Sequence, residues 1–415
     1  MKKKSFFTFL FLLIIILYLS LAFIFKNNPK DFFEIGYKTF KILPIKVQTT
    51  IKLFTEKDFI NNLNNDYNVK YLPETQYLDL EFTQINLNFI KESKSQYAGL
   101  KKTFFIDLIN NKIYLTDKTG NIFFFNSNNI NKNINNINNL KNDLNLEYVL
   151  DTYIKDNYFY ISYVVNENNC EKMKISYAKI NNNFLQFKKL FDSRECGVNI
   201  QGGKIQYFNF LKEDGILVTT GDNIPDLPSS KAQNDKSIFG KILFISLKSK
   251  ETQLFSKGHR NPQGLFVKDK LILSTEHGPK GGDEINKINF NKNYGWAISS
   301  YGESYANDEL KYLKSHESNG LEEPIYSFVP SVGISEIIAI PNEFSNNWQD
   351  NFLISTLNDR SLYRVKFDQT FSKIYYKEKI FIGQRIRDLK FDNNLNAIFL
   401  SLEDKGELGI LKIKK

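Results

Sequence analysis

Residues 104–125 read FFIDLINNKIYLTDKTGNIFFF, and this stretch decides the fold. Three runs of β-branched and aromatic residues are separated by Asn110-Asn111 and by Thr119-Gly120, a pattern that predicts a meander of three short strands. The pattern recurs in five further stretches, 158–191, 203–255, 264–290, 333–381 and 386–413. Six such units predict an all-β fold, a six-bladed β-propeller. A double β-sandwich is the alternative, which is disfavoured because the units recur without a change in pattern.

The composition excludes two broad classes of protein. The 415 residues are 42% hydrophobic, 24% charged and 15% aromatic, which is too apolar for a disordered chain and typical of pleated sheet. The net charge is +9, but five of these charges come from lysines among residues 1–30, a stretch without acids, so the remainder carries only +4. Because that remainder shows no basic stripe with interleaved aromatics, we do not expect nucleic-acid binding.

The N-terminus carries an export signal. Lys2–Lys4 precede an apolar run over residues 5–25, which at 1.5 Å per residue spans about 30 Å, enough for a bilayer core. A basic cluster before the apolar run keeps the N-terminus cytoplasmic. We therefore predict a transmembrane helix that anchors the protein in the membrane (1–26), a lead-in segment (27–100) and an exported propeller (101–415) on the periplasmic or extracellular side. Cleavage of a signal peptide near Ser20-Leu21-Ala22 is the alternative.

Two cysteines, Cys170 and Cys196, lie in the part of the chain predicted to be exported. In an oxidising compartment, a pair 26 positions apart can close one loop through a disulfide. Two free, partly buried thiols are the alternative, and the sequence leaves both open. A structural zinc site is excluded, since no histidines cluster with the two cysteines.

An asparagine-rich tract interrupts the strand pattern. Residues 126–142 contain ten asparagines, and such a polar tract cannot bury a core. We predict a loop between blades.

Residues 258–305 are where the sequence indicates chemistry. Arg260 and Asn261, in a loop bounded by Gly and Pro, present a planar cation and an amide, which suit a ligand rich in carboxylates or carbonyls. Residues 276–284, EHGPKGGDE, combine an exposed turn with adjacent acids, the oxygen ligands that Ca²⁺ prefers. Taken alone, each segment also fits a simpler structure: a surface loop for the first, a tight turn with solvated acids for the second, and a core aromatic pair for Tyr294 and Trp296.

Together these segments resemble a known family. GHRNPQGL, TEHGPKGGDEIN, KNYGW and SYGESY occur in this order over residues 258–305, as in the soluble pyrroloquinoline-quinone (PQQ) dependent sugar dehydrogenases, the glucose/sorbosone dehydrogenase family. The resemblance covers roughly residues 143–413. It implies a six-bladed propeller that transfers a hydride from C1 of a sugar to PQQ, with Ca²⁺ polarising the quinone and a histidine as base.

The resemblance also implies roles for particular residues. The residues implied to contact PQQ or to line its pocket are Arg260, Asn261, His277, Asp283, Ser331, Arg385 and Arg387. The residues implied to bind Ca²⁺ are Gly278 and Pro279, through their carbonyls at the cofactor, and Glu284 and Tyr294 at a second, structural ion.

Two departures from the family bear on catalysis. The family's base precedes a Gly-Gly-Arg turn, and here Ile200 occupies that position in the stretch NIQGGK, while Asn358 stands where the family commonly has a Lys. Isoleucine cannot accept a proton, so His277 is the candidate substitute base and, with Arg260, the candidate catalytic pair. We predict an exported PQQ- and calcium-dependent aldose sugar dehydrogenase. The alternatives are a non-catalytic, membrane-tethered calcium-binding propeller that binds a carbohydrate or another ligand, and a purely structural interaction propeller.

Overall fold

The computed structural model describes residues 78–95, 99–130, 134, 136–181, 184–222, 231–305 and 311–414. The predicted anchor over residues 1–26 and most of the lead-in segment lie outside these residues. Among the residues described, no helix combines the length and apolar character needed to cross a membrane.

The described chain begins with one strand and a short hairpin: β1 (Leu80–Asn86), β2 (Ser93–Ser95) and β3 (Gly99–Lys101). Blade 1 consists of β4 (Phe104–Ile109), β5 (Lys112–Asp117), β6 (Ile122–Asn126) and β7 (Asn138–Asn142). Blade 2 consists of β8 (Tyr148–Lys155), β9 (Tyr158–Glu167), β10 (Cys170–Lys179) and β12 (Lys188–Asp192). The short β11 (Phe184–Leu185), which lies between β10 and β12 in the sequence, pairs with β7 of blade 1. Blade 3 consists of β13 (Gly202–Phe210), β14 (Glu213–Thr220), β15 (Lys241–Ser246) and β16 (Thr252–Lys257).

Blade 4 consists of β17 (Pro262–Lys268), β18 (Leu271–Glu276), β19 (Asp283–Lys287) and β21 (Tyr326–Phe328). The short β20 (Lys292–Asn293), which lies between β19 and β21 in the sequence, pairs with β16 of blade 3. Blade 5 consists of β22 (Ile334–Ala339), β23 (Asn351–Thr356), β24 (Ser361–Phe367) and β25 (Ile374–Phe381). Blade 6 consists of β26 (Ile386–Asp392), β27 (Ala397–Leu402), β28 (Glu407–Ile413) and β1. Three short 3-10 helices complete the described structure: Ser127–Asn129, Glu317–Asn319 and Asn346–Trp348.

The six sheets form a closed ring. The first strands of the blades (β4, β8, β13, β17, β22 and β26) each contact the next around one central axis, and β26 contacts β4. Closure comes from β1, which pairs antiparallel with β28 from Leu80 opposite Ile413 to Asn86 opposite Glu407. The six-bladed all-β propeller predicted from the repeated units is therefore confirmed.

Aromatic side chains fill the space between neighbouring blades. Tyr114 of blade 1 meets Phe159 of blade 2 edge-on, with ring centroids 6.4 Å apart. Phe266 of blade 4 meets Phe352 of blade 5 in the same way, at 5.1 Å. Such pairs add to the hydrophobic stabilisation of two twisted sheets packed face to face, which explains why the composition is so rich in Phe and Tyr.

The asparagine-rich tract departs from its predicted structure. The outer strand of blade 1, Asn138–Asn142, lies within residues 126–142, and Leu140 is only 1% exposed. Ile130 and Ile134 pack against the core between blades 6 and 1. The prediction of a loop throughout this tract is wrong, because a few apolar residues among the asparagines are enough to attach it to the sheet.

Cys170 and Cys196 form a disulfide. It joins the first residue of β10 to the loop that precedes β13, and the amide of Gly197 donates to the carbonyl of Glu171 beside it. The disulfide therefore attaches the loop before the inner strand of blade 3 to blade 2.

We expect removal of this disulfide to destabilise the propeller. Closing a loop of this length restricts the unfolded chain, so the Cys170→Ser/Cys196→Ser variant should lose about 3 kcal/mol of unfolding free energy. Denaturant unfolding of the full-length protein with and without a reductant provides the measurement. The double variant should not respond to the reductant, and a wild-type midpoint that the reductant leaves unchanged would contradict the prediction.

Candidate active site

The candidate site lies at the end of the ring where the inner strands begin. Arg260 and Asn261 immediately precede β17, Ser331 lies just before β22, and Arg385 and Arg387 lie at the start of β26. His277 follows β18, which runs antiparallel to β17 and ends at the same face. We call this end of the ring the top face, and the region that these residues surround the pocket.

One buried carboxylate holds the arginine pair. The Nε atoms of Arg385 and Arg387 donate to the two carboxylate oxygens of Glu403, at 2.6 and 2.9 Å. The Thr103 hydroxyl donates to Glu403 as well, at 3.0 Å. Burial alone would raise the pKa of Glu403, but the two guanidinium groups outweigh it and hold that pKa well below its usual range. Each arginine keeps N–H groups on its Nη atoms for other partners.

A chain of side-chain amides continues from the arginines across the pocket. Arg387 donates through Nη1 to the Gln263 amide oxygen at 2.9 Å, and Gln263 donates to Asn261 at 2.7 Å. Asn261 in turn donates to Gln201, in the loop before β13. This chain links blades 6, 4 and 3, and it uses both ends of the Asn261 amide. Gln201, Gln263 and Glu403 were missed in the sequence analysis, although Gln263 lies within the motif GHRNPQGL.

Arg260 is oriented by an aromatic ring and a carbonyl. Its guanidinium carbon lies 5.2 Å from the centre of the Trp296 ring, and its Nη1 donates to the His277 carbonyl at 3.3 Å. Trp296 is itself held by Asp222, which accepts from the indole N–H at 2.8 Å. Stacking on an indole favours a guanidinium over an ammonium at this position.

His277 presents a buried nitrogen to the pocket. Among the residues the structure describes, its Nε2 has no hydrogen-bond partner. Burial lowers the pKa of His277 to about 4; Asp283 opposes this shift, whereas Arg260 and Arg387 add to it. The imidazole is therefore neutral at pH 7.

The Asp283 carboxylate holds neighbouring backbone segments together. One carboxylate oxygen accepts from the amides of Val332, Gly333 and Ile334, at 2.6–3.0 Å, and the other accepts from the Gly278 amide at 3.0 Å. The side chain thus joins the turn after β18 to the loop before β22.

The turn over residues 278–282 is tightly packed. A Cβ on Gly278 would lie 2.0 Å from the Gly282 carbonyl oxygen, so only glycine fits there. The Pro279 carbonyl accepts from the Ser331 hydroxyl at 3.2 Å, which brings Ser331 beside this turn.

Glu284 and Tyr294 lie behind the pocket. The Tyr294 hydroxyl donates to the Lys287 carbonyl at 2.6 Å, and its ring belongs to the core between blades 3 and 4. Burial and the charge of Glu276 raise the pKa of Glu284 well above its usual range, and the nearest ring nitrogen of His316 is 3.6 Å away. In the described part of the chain, no group of three or more His, Cys, Asp or Glu side chains is placed to hold a metal ion. A structural Ca²⁺ at these residues stays a prediction.

Ile200 forms part of an apolar wall. It is 2% exposed and packs with Leu150 and Ile205 in the core between blades 2 and 3. Asn358 donates its backbone amide to the Val332 carbonyl at 3.1 Å, in the loop after β23. Neither side chain offers a base.

A belt of buried charges lies beneath the arginines. The ammonium of Lys204 contacts Asp151 at 2.8 Å and Glu336 at shorter range, and lies 4.0 Å from Asp388. The remaining oxygens of these acids accept backbone amides, such as Ile205 to Asp151 at 2.9 Å. Burial would lower the pKa of Lys204, but the three carboxylates raise it well above its usual range.

This set of residues identifies the class of protein. The chain belongs to the glucose/sorbosone dehydrogenase family, whose model matches residues 100–411. Aldose sugar dehydrogenase YliI of Escherichia coli (strain K12) is 30% identical over 169 residues, which are 40% of this chain and 45% of that protein. The chain spans about half the length of the curated relatives it matches.

Solved structures share the fold. The soluble aldose sugar dehydrogenase of Escherichia coli in its apo-form superposes with a TM-score of 0.66 at 18% identity, covering 80% of this chain and 100% of that one. The PQQ-bound form of aldose sugar dehydrogenase from Streptomyces coelicolor superposes with a TM-score of 0.56 at 16% identity, covering 81% and 100%. At these identities the likeness shows the propeller fold alone.

We expect Glu403→Gln to destabilise the protein in a pH-dependent way. The variant leaves two arginines without their carboxylate, at a cost of about 3 kcal/mol near neutral pH. Because the pKa of Glu403 is lower in the folded than in the unfolded chain, its contribution is complete above its ordinary value of 4.5 and is lost as the pH falls further. Unfolding of wild type and variant from pH 7 to 3 measures this. The exposed Glu343→Gln serves as control. A difference in unfolding free energy between wild type and Glu403→Gln that grows at low pH would contradict this role of Glu403.

Lys204→Met should be more damaging than any exposed lysine substitution. Removing the ammonium leaves the buried Asp151 and Glu336 without the cation that contacts them, and among the described residues only Lys390, 3.9 Å from Asp388, remains beside these acids, which costs about 3–5 kcal/mol. Urea unfolding compared with the exposed Lys268→Met provides the measurement. Equal stability of the two variants would show that the belt does not depend on Lys204.

Proposed function

We propose that the protein is an exported, PQQ- and Ca²⁺-dependent aldose sugar dehydrogenase that acts in the top-face pocket. The observation that carries this proposal is the arginine pair, because Glu403 holds Arg385 and Arg387 side by side through their Nε atoms and, apart from the bond from Arg387 to Gln263, leaves their Nη groups for an anion. Bidentate arginine pairing is geometrically selective for carboxylates, and PQQ carries several. The PQQ-bound Streptomyces relative of the same fold supports this choice of ligand.

The pocket residues fit such a cofactor. Arg385 and Arg387 would bind its carboxylates, and Arg260 would contact it while stacked on Trp296. Since both carboxylate oxygens of Asp283 are taken by backbone amides, the protein ligands for Ca²⁺ here would be the carbonyl oxygens of Gly278 and Pro279. Ca²⁺ takes six to eight oxygens, so water and the ligand itself would supply the others.

His277 would act on the proton of the sugar. When bound, PQQ supplies the two-electron oxidant that takes a hydride from C1. The anomeric hydroxyl must lose its proton at the same carbon, and His277 is neutral at pH 7 with a buried Nε2 that has no partner among the described residues. His277 can therefore accept that proton, although a pKa of about 4 makes it a weak base.

Export rests on two features. The basic cluster Lys2–Lys4 and the apolar run over residues 5–25 form a signal that directs the following chain outward. The disulfide between Cys170 and Cys196 is favoured in an oxidising compartment. We propose that the propeller works on the periplasmic or extracellular side, attached through its N-terminal segment.

A second candidate function is a propeller that binds a carbohydrate or another ligand without oxidising it. The observation that favours it is Ile200, which is buried among apolar side chains at the position where the family places its base. The two candidates differ in whether the pocket must hold PQQ and in whether turnover follows ligand binding.

A titration of the full-length protein with PQQ, in Ca²⁺ and in EDTA, tests the proposal. We expect Ca²⁺-dependent binding that Arg387→Met weakens about 10-fold or more through loss of a charge-assisted hydrogen bond. The exposed Arg194→Met should bind as wild type does. An absence of PQQ binding would overturn the proposal.

Dye-linked oxidation of aldoses by the PQQ-loaded protein separates the two candidates. With PQQ at saturating concentration, His277→Ala should lower kcat about 100-fold, because general-base catalysis contributes about 10²–10⁴ in rate. The wild-type rate should fall as the pH drops through about 4, where the imidazole becomes protonated. PQQ binding without sugar oxidation would favour the non-catalytic candidate.

A further inference from the structure

Lys118 lies at the top face, in the turn between β5 and β6. Its amide donates to the Thr103 carbonyl at 3.1 Å, and its carbonyl accepts from the Val149 amide at 2.9 Å. Thr103 is the residue whose hydroxyl donates to Glu403. The backbone of Lys118 is thus held between blades 1 and 2, one residue away from the carboxylate that orients the arginine pair.

The side chain of Lys118 extends toward the wall that contains Ile200. Its ammonium lies 5.3 Å from the centre of the Tyr148 ring. The Tyr148 hydroxyl donates to the Ile200 carbonyl at 3.2 Å and contacts Glu171 at 3.3 Å. Lys118 therefore lies on the side of the pocket opposite blade 4, between the arginines and Ile200.

The ammonium of Lys118 lacks an anionic partner. Within the described ranges it has no hydrogen bond, and no carboxylate lies within 4.0 Å of it. The adjacent Asp117 does not serve, because its oxygens accept from Thr119 and Asn121 in the same turn. Glu403, the buried acid whose charge acts on Lys118, is already shared by two arginines.

The surroundings of Lys118 lower its pKa. Burial, and then the charge of Arg387, lower the pKa of Lys118 to about 8, with Glu403 opposing. The pKa of Lys204 in the belt is shifted in the opposite direction, because three carboxylates surround its ammonium and raise its pKa. At pH 7 Lys118 is still mostly protonated, and its half-buried ammonium is available to pair with an anionic oxygen of a ligand.

We propose that Lys118 is a ligand-binding residue of the pocket, where it forms the third cationic group beside Arg385 and Arg387 and pairs with an anionic oxygen of the ligand. Among the described residues, Glu403 is the one carboxylate that pairs with the guanidinium groups of Arg385 and Arg387, and Lys118 pairs with none within 4.0 Å, so this side of the pocket favours an anionic ligand. The ligand that matches the three cations is a flat molecule with at least two separated carboxylates. The inference rests on the proposed function only in the choice of PQQ as the first probe.

The test compares Lys118→Met and Lys118→Arg with the wild type in the full-length protein. Lys118→Met should weaken PQQ binding about 10-fold or more, and Lys118→Arg should retain most of the affinity. Lys112→Met, at the other end of β5, is the matched control and should bind normally. Without ligand, Lys118→Met should be at least as stable as wild type, because it removes an uncompensated charge, whereas a purely structural lysine would destabilise the protein when lost.

The pH dependence gives an independent readout. Wild-type affinity should fall as the pH rises through about 8, where free Lys118 loses its proton, and Lys118→Arg should show no such fall. Arg387 keeps its charge throughout this range, and the Tyr148 pKa is raised by burial and by Glu171, so neither group produces the effect. If Lys118→Arg shows the same dependence of PQQ affinity on pH as the wild type, Lys118 is not the group that titrates and the proposal is overturned.

The outcomes also separate this inference from the proposed function. If wild type binds PQQ and Lys118→Met binds it equally well, the inference fails while the proposed function stands. If wild type does not bind PQQ, the proposed function fails, and pyridine-2,4,6-tricarboxylate becomes the probe for the same variants. Weaker binding of this tricarboxylate by Lys118→Met would support the inference, and equal binding, or no binding by wild type, would overturn it.

Discussion

Six inner strands converge on one axis, and the charges that lie there must neutralise one another because their side chains are almost fully buried. Lys204 of blade 3 meets Asp151 of blade 2, Glu336 of blade 5 and Asp388 of blade 6. Blade 4 contributes Gly264, where a Cβ would lie 2.5 Å from the Ser335 carbonyl oxygen. The blades are thus joined by a polar centre as well as by their apolar faces, and every loop of the top face is positioned relative to that centre.

The candidate site follows from this ring. Arg385 and Arg387 are two positions apart at the start of an extended strand, so their side chains lie on the same side and reach one carboxylate. Asp388, the next residue, belongs to the belt and accepts the Ile106 amide of blade 1 at 2.8 Å. The same short segment therefore holds two blades together and supplies the cations of the pocket.

Local sequence patterns predicted the strands and the positions of the motifs. Ring closure and the pairing of buried side chains could not be predicted, because they depend on partners that are distant in the sequence. The repeated units placed the blades, since strand and turn preferences act over a few residues. Closure by β1, burial of Leu140 in the asparagine-rich tract and the pairing of Glu403 with two arginines depend on residues that only the folded ring brings together. Asp283 shows the limit clearly: its place in a motif indicated the pocket, whereas its amide partners at residues 332–334 lie in the next blade.

The pairing of β1 with β28 also has a consequence in time. These are the first and last strands of the described chain, so β1 cannot take its place as the outer strand of blade 6 until β28 has been made. At a synthesis rate of about 5–20 residues per second, the interval between completion of β1 and completion of β28 is roughly tens of seconds. During that interval the apolar residues of β1, which end up against β28, have no sheet to join. A ring closed by pairing its first and last described strands therefore forms its final strand pair late, after all the other blades have their strands.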